Sequence, residues 1–184
     1  MRRAMLALAL TIFILSWVVP VSAQTDDQYL IGDGRIGVWK VGAAEADLLK
    51  DYSSRFGPGF TVDAPFPHKL SRSGKAYFWR RAGFQFISYE GRVVSITIWK
   101  RYTDPTPNAE LMKYRTKEGI GIGEPLSKAT AAYQLPPRQW QVHWFGGVIN
   151  TAMVWPALGL YLEIRDRNVD AIGVYDPGAP WDYQ

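Results

Sequence analysis

The sequence predicts an α+β fold made of two tandem repeats, each a short helix (or helix pair) packed on an antiparallel sheet of three to four strands. Three observations predict it. Segments rich in aromatic and β-branched residues are separated by tight turn signals, and aromatics make up 14% of the 184 residues. The helical stretches are too short and too few for a bundle. Two blocks of the chain also match later blocks without internal gaps, as a duplicated unit would.

The elements follow in chain order. "MRRAMLALALTIFILSWVVPVSA" pairs two arginines with an apolar run and a small-residue site. That is the form of a secretory signal peptide spanning residues 1–23, cleaved before Gln24, and it implies a periplasmic or secreted protein with no membrane span after cleavage. Residues 24–34 read as a polar tail. Repeat 1 spans residues 35–102, a linker 103–118 and repeat 2 119–184. The first helix carries Ala44, Leu48 and Tyr52 at helical spacing, and the second carries Leu126, Ala129 and Tyr133, with Pro125 suited to its first turn. A Gly/Pro/Ser-bearing loop follows each helix. Strands are expected at Ala76–Arg81, Phe84–Ser88 and Val93–Lys100, with a hairpin turn over Tyr89–Arg92. The second repeat turns across Arg165–Asn168, and a further strand is expected at Gln139–Phe145. The linker breaks at Pro105 and Pro107 and leaves room for a helical turn near Glu110–Tyr114.

The duplication rests on two alignments. "VGAAEADLLKDY" (Val41–Tyr52) over "IGEPLSKATAAY" (Ile122–Tyr133) brings Gly42 onto Gly123 and Tyr52 onto Tyr133 at an offset of 81. "YFWRRAGFQFISYEGRVVSITI" (Tyr77–Ile98) over "MVWPALGLYLEIRDRNVDAIGV" (Met153–Val174) brings Trp79 onto Trp155 and Gly83 onto Gly159 at an offset of 76. Gly119, Gly121 and Gly123 therefore mark a helix entry. A dinucleotide loop would need a buried strand before it, and "LMKYRTKE" is charged; no Gly-Lys-Ser/Thr is present either.

"TKEGIGIGEPLSKATAAY", "ALGLYLEIRDRNVDAIGV" and their first-repeat partners resemble the β-lactamase-inhibitor-like tandem repeat. They are more distantly similar to the outer-membrane-assembly lipoprotein domain with an ααβββ plan. The resemblance implies a concave sheet that binds another protein and performs no catalysis. The chain has no cysteine, so it lacks the disulfides of the inhibitor type and the lipid anchor of the assembly type.

Cysteine nucleophiles and thiolate metal sites are excluded for the same reason. His68 and His143 stand without a second histidine or a carboxylate at metal-ligand spacing, and no Gly-x-Ser-x-Gly occurs. No metal or other cofactor is expected. Glu45, Asp47 and Asp51 read as a solvated helix face, and Glu163 and Asp166 lie at a hairpin end. The rival reading, a glycan-acting envelope enzyme, would use Glu163 or Asp166 beside a tryptophan-lined groove; a carbohydrate-binding module is the other.

Strand alternation then locates the expected binding face. Ile96, Ile98, Ile172 and Val174 face the helices, which leaves Gln85, Tyr89 and Trp99 in repeat 1 and Tyr161 and Tyr175 in repeat 2 on the opposite face. With Trp79, Arg81 and Trp144 these form the candidate binding set, since Trp, Tyr and Arg are enriched at interface hot spots. Residues 35–102 hold 12 basic and 5 acidic residues (net +7), whereas residues 119–184 hold 4 and 6 (net −2). Charge of that kind would draw another envelope or extracellular protein, one of acidic character. Nucleic acid does not fit an exported chain. The expected function is non-enzymatic protein binding.

Overall fold

The computed structural model describes residues 29–63, 74–100, 110–134, 138–143 and 149–179. They form an α+β fold in two layers. The first layer is a continuous eight-stranded antiparallel sheet: β4 (Phe60–Asp63), β5 (Gly74–Trp79), β6 (Phe84–Tyr89), β7 (Arg92–Trp99), β12 (Asn168–Tyr175), β11 (Leu160–Arg165), β10 (Ile149–Trp155) and β9 (Arg138–His143), in that spatial order. Against one face lie α1 (Glu45–Phe56), α2 (Leu126–Ala132) and a small sheet. The small sheet has the order β3 (Trp39–Lys40), β2 (Arg35–Ile36), β1 (Leu30–Gly32) and β8 (Arg115–Thr116), with β1 and β8 parallel. A 3₁₀ turn at Leu111–Lys113 precedes β8.

The two hairpins β6–β7 and β11–β12 set the frame. Their turns place Glu90 and Gly91 at φ 50° and 74°, and Asp166 and Arg167 at 49° and 64°. Two successive left-handed residues make the turn whose twist matches that of the strands. Each hairpin then caps a helix. The Gly42 N–H donates to Val93 O (2.7 Å) and the Glu45 N–H to Gly91 O (2.9 Å); the Gly123 N–H donates to Val169 O (2.8 Å) and the Leu126 N–H to Arg167 O (2.9 Å). Neither helix has a side-chain cap, so the turn carbonyls of Gly91 and Arg167 satisfy the first orphan donor of each helix, and the bonds from Gly42 and Gly123 tie the helix entries to the strands. α1 ends at Gly57, whose N–H donates to Ser53 O at a φ of 76°.

The helix-side core is aromatic in the first half. Tyr52 is fully buried and meets Trp39, Trp79 and Phe84 edge-on or tilted at 4.8, 4.9 and 5.3 Å between centroids. Trp79, a candidate binding residue by sequence, belongs to this core: its Nε1–H donates to Gly57 O at 2.8 Å, and it is 3% exposed. Gly59 is fixed by that ring, since a Cβ there would stand 2.7 Å from it.

Three expectations are corrected. The tail is not wholly irregular, because Leu30–Gly32 forms β1. The linker contributes a strand, Arg115–Thr116. The strands of the two halves join edge to edge at β7–β12, from Ser95↔Tyr175 to Trp99↔Ala171. Strands of two or three residues carry too little periodicity to be recognised in sequence.

Candidate functional site

The second face of the large sheet carries Trp99, Tyr161, Tyr175 and Gln85, as alternation predicts, but all four are buried, at 3–6% exposure. Exposed aromatic anchors are therefore corrected to a buried layer: Tyr161 and Tyr175 lie 6.3 Å apart with Ala76, Phe78, Ile87, Val94 and Ala179 in the same cluster. Tyr89 is half-buried at the margin and Arg81 is exposed at the β5–β6 turn. Trp144 lies outside the described residues, as does His68.

This buried layer is unusually polar. Gln85, Ser95, Thr97, Asn150, Glu163 and Asp170 are each at most 6% exposed. Tyr161 crosses Gly173, where a Cβ would fall 2.1 Å from its ring, and its hydroxyl shares a hydrogen bond with Thr97. Farther along β12, Asn150 Nδ2 donates to Glu163 Oε2 (3.0 Å) and to Asp170 Oδ2 (3.1 Å). Burial pushes the Asp170 carboxyl up to about 6, against the opposing pull of Lys100. Strict alternation would turn Asp170 toward the helices with Ile172. The register shift between Glu163 and Ile164 places a β-bulge at Asp170, which brings it round beside Glu163. The sequence marked Glu163 but paired it with Asp166, whose exposed carboxylate lies at the hairpin turn with Arg165 Nε 3.8 Å away. The carboxylate partner that the fold gives Glu163 is Asp170.

The first half holds its polar cluster on the opposite, helix side. Glu45 at the start of α1 accepts hydrogen bonds from the Tyr77 hydroxyl and from Ser88 Oγ, the latter at 2.5 Å. Burial raises the Glu45 carboxyl, but those two bonds and the charge of Lys75 outweigh it and hold the group below its ordinary value.

Sheet pairing also gathers cations at one end. The β5–β6 turn holds Arg80 and Arg81. Lys100 follows β7 and donates its N–H to Asp170 O at 2.8 Å, Arg165 ends β11, and the β11–β12 turn holds Arg167. Arg80, Arg81, Lys100 and Arg167 are exposed, and Arg80 lies over the Phe60 ring at 4.6 Å. Asp166 is the exposed carboxylate among these described turns. Beside them an open polar cleft of about 490 Å³ is lined by Lys100, Arg165, Asp166, Asn168 and Asp170. The lining itself balances two cations with two carboxylates, and the excess of positive charge at this end comes from Arg80, Arg81 and Arg167.

Among the described residues, no three His, Asp or Glu side chains gather as metal ligands, and no helix is long and apolar enough to cross a membrane. No protein-family model matches the chain, and no curated protein matches it. Among solved structures, a cysteine-rich secretory protein from Staphylococcus aureus subsp. aureus Mu50 is 12% identical with a TM-score of 0.38, over 79% of this chain and 47% of its own. The chain thus spans about half the length of that structure.

Proposed function

We propose that the protein is an exported, non-enzymatic binding protein, two copies of one α+β unit, that recognises another envelope or extracellular protein of acidic character. The observation that carries this reading is the exposed cation row Arg80, Arg81, Lys100 and Arg167 at one end of the large sheet. Strands about 4.8 Å apart spread such a row over roughly 20 Å, a span suited to a protein surface more than to a small anion. The buried aromatic layer gives the row a rigid base, and the contacts fall to the exposed rim, Arg81 among them.

The duplication is supported by matched hydrogen bonds. Gly42 to Val93 and Gly123 to Val169 occupy equivalent places, as do the Trp99 N–H to Gly83 O (3.0 Å) and the Tyr175 N–H to Gly159 O (2.8 Å). Register shifts at Ile87/Ser88 and Glu163/Ile164 are likewise 76 residues apart. Export is supported by the amino-terminal sequence and is checked by mass spectrometry of the secreted form, with Gln24 as the expected first residue.

The binding reading is tested with immobilised mature protein and envelope extract, eluted in a salt gradient. Charge-driven contacts weaken once the screening length falls toward roughly 3 Å near 1 M salt. An acidic protein is expected to bind at low salt and to be lost from Arg81→Glu/Lys100→Glu/Arg167→Glu. Retention of every bound protein by that triple variant would overturn the reading.

A further inference from the structure

Asn150, Glu163 and Asp170 form a polar cluster that the hairpin itself does not require. Asn150 Nδ2 donates to both Glu163 Oε2 and Asp170 Oδ2, so two carboxylates, 3% and 6% exposed, stand on one neutral donor. Under the proposed duplication, the same three places in the first half hold Gly74, Ile87 and Val94. Val94 sits at the matching bulge, and its carbonyl accepts the Asp176 N–H at 2.8 Å, as Asp170 O accepts the Lys100 N–H. Ile87 and Val94 are buried and uncharged, and the β6–β7 hairpin closes around them in the same register. Packing therefore asks for no carboxylate here, and a buried carboxylate pair carries a desolvation cost that an apolar pair does not.

We propose that the Glu163–Asn150–Asp170 cluster is a proton-operated control on the basic end, taking up a proton in mildly acidic surroundings and so strengthening the hold on an acidic partner. This inference rests on the function proposed above and names a regulation of that same site. Asp170 lines the polar cleft with Lys100, Arg165 and Asp166, two cations against two carboxylates, so one proton tips the lining to a positive balance. Ionised, Asp170 offsets Lys100, a member of the cation row; protonated, it leaves that charge to the partner's carboxylates. Burial favours the neutral form and holds the Asp170 carboxyl at about 6 despite Lys100. The other charged neighbours are placed as follows. Arg165 Nε stands 3.8 Å from Asp166 Oδ2, Arg167 lies in the turn, and Glu124 at the entry to α2 is paired with Lys128 Nζ at 3.0 Å. β10 contributes only the neutral Asn150. On β9, Arg138 lies opposite Val154 at the far end, and His143 lies opposite Ile149, its side chain outside the described residues.

The test uses the mature protein and a blocked hexapeptide of cysteic acid, whose sulfonates keep their charge throughout, with binding measured by calorimetry at about pH 5 and about pH 8. Wild type is expected to bind about threefold more tightly at the lower pH, the effect of removing one nearby negative charge. Asp170→Asn is expected to bind at both pH values with the affinity that wild type shows at the lower one. Asp166→Asn, which removes an exposed carboxylate of the same cleft, is expected to bind more tightly at both and to keep the wild-type ratio. Carboxyl carbon NMR of wild type is expected to show Asp170 titrating at about 6. Equal wild-type affinity at the two pH values, a wild-type ratio that persists in Asp170→Asn, as a histidine would give, an Asp170 carboxyl that titrates at its ordinary value, or no binding at either pH would each overturn the control. Equal binding at both pH values that is lost from the basic-end triple variant overturns the control while the proposed function stands. If wild type shows the expected ratio while the triple variant keeps every protein of the extract, the proposed function fails and the control stands.

Discussion

At Gly173 the fold depends on the absence of a side chain. Its backbone is ordinary, so the requirement comes from Tyr161, whose ring occupies the place of a Cβ. Gly173→Ala is expected to destabilise by at least about 1–3 kcal/mol, the usual cost of overpacking. In a Tyr161→Ala background the same change is expected to be nearly neutral, a coupling that urea denaturation of the four proteins measures. Asp170 makes a second residue-scale prediction. Its carboxyl titrates at about 6 in the folded protein, above the value near 3.9 of an unfolded chain. Folding therefore favours the protonated form. That contribution is complete below about pH 4 and is lost as pH rises through 6. Asp170→Asn is expected to gain up to about 2–3 kcal/mol on wild type at pH 8 and little at pH 4, read from urea midpoints across pH. A constant difference between the two proteins would contradict it. Residues of this kind were partly legible. Glu163 was marked as a carboxylate at a hairpin end, but Asp170 and Asn150 were not, because alternation with period two fails at a bulge.

The hairpins behave as elements with defined turn chemistry. Gly91 sits at a φ of 74° with open space where a Cβ would go, so Gly91→Ala carries only the backbone cost, about 1 kcal/mol. Arg167 holds the matching turn position at a φ of 64°, and Arg167→Gly is expected to be neutral or slightly stabilising. Thermal denaturation of both variants checks the opposite signs. The turn at Tyr89–Arg92 was readable because Glu-Gly punctuates two alternating runs. The helices were readable from Leu48, Tyr52 and Ala129, all of which are buried. Trp79 was misjudged as a contact residue, because a tryptophan in a strand has the same sequence appearance whether it faces a helix or a partner. The small sheet was not readable, since β2, β3 and β8 have two residues each and gain their pairing from distant chain.

For the whole molecule, the β7–β12 seam makes one sheet of eight strands, and β2 packs against both strands of that seam. Stability is therefore shared across the halves. Calorimetry and tryptophan fluorescence are expected to give one coincident transition, as a two-state domain does; two separable transitions would contradict this. The α+β class was evident from aromatic strands and sparse helices, whereas the continuity of the sheet required long-range pairing that no local pattern encodes. The seam has a further consequence. Thr97 pairs with Gly173, and these residues are separated by the same 76 positions that relate Trp79 to Trp155. Under the proposed duplication, each therefore faces its own counterpart, which is the condition met on the axis of a two-fold symmetric dimer. A forerunner with a single unit could have existed as two separate molecules joined along this strand, later fused into one gene. Residues 24–102 produced alone would leave the β7 edge bare and are expected to self-associate through it, which analytical ultracentrifugation would reveal.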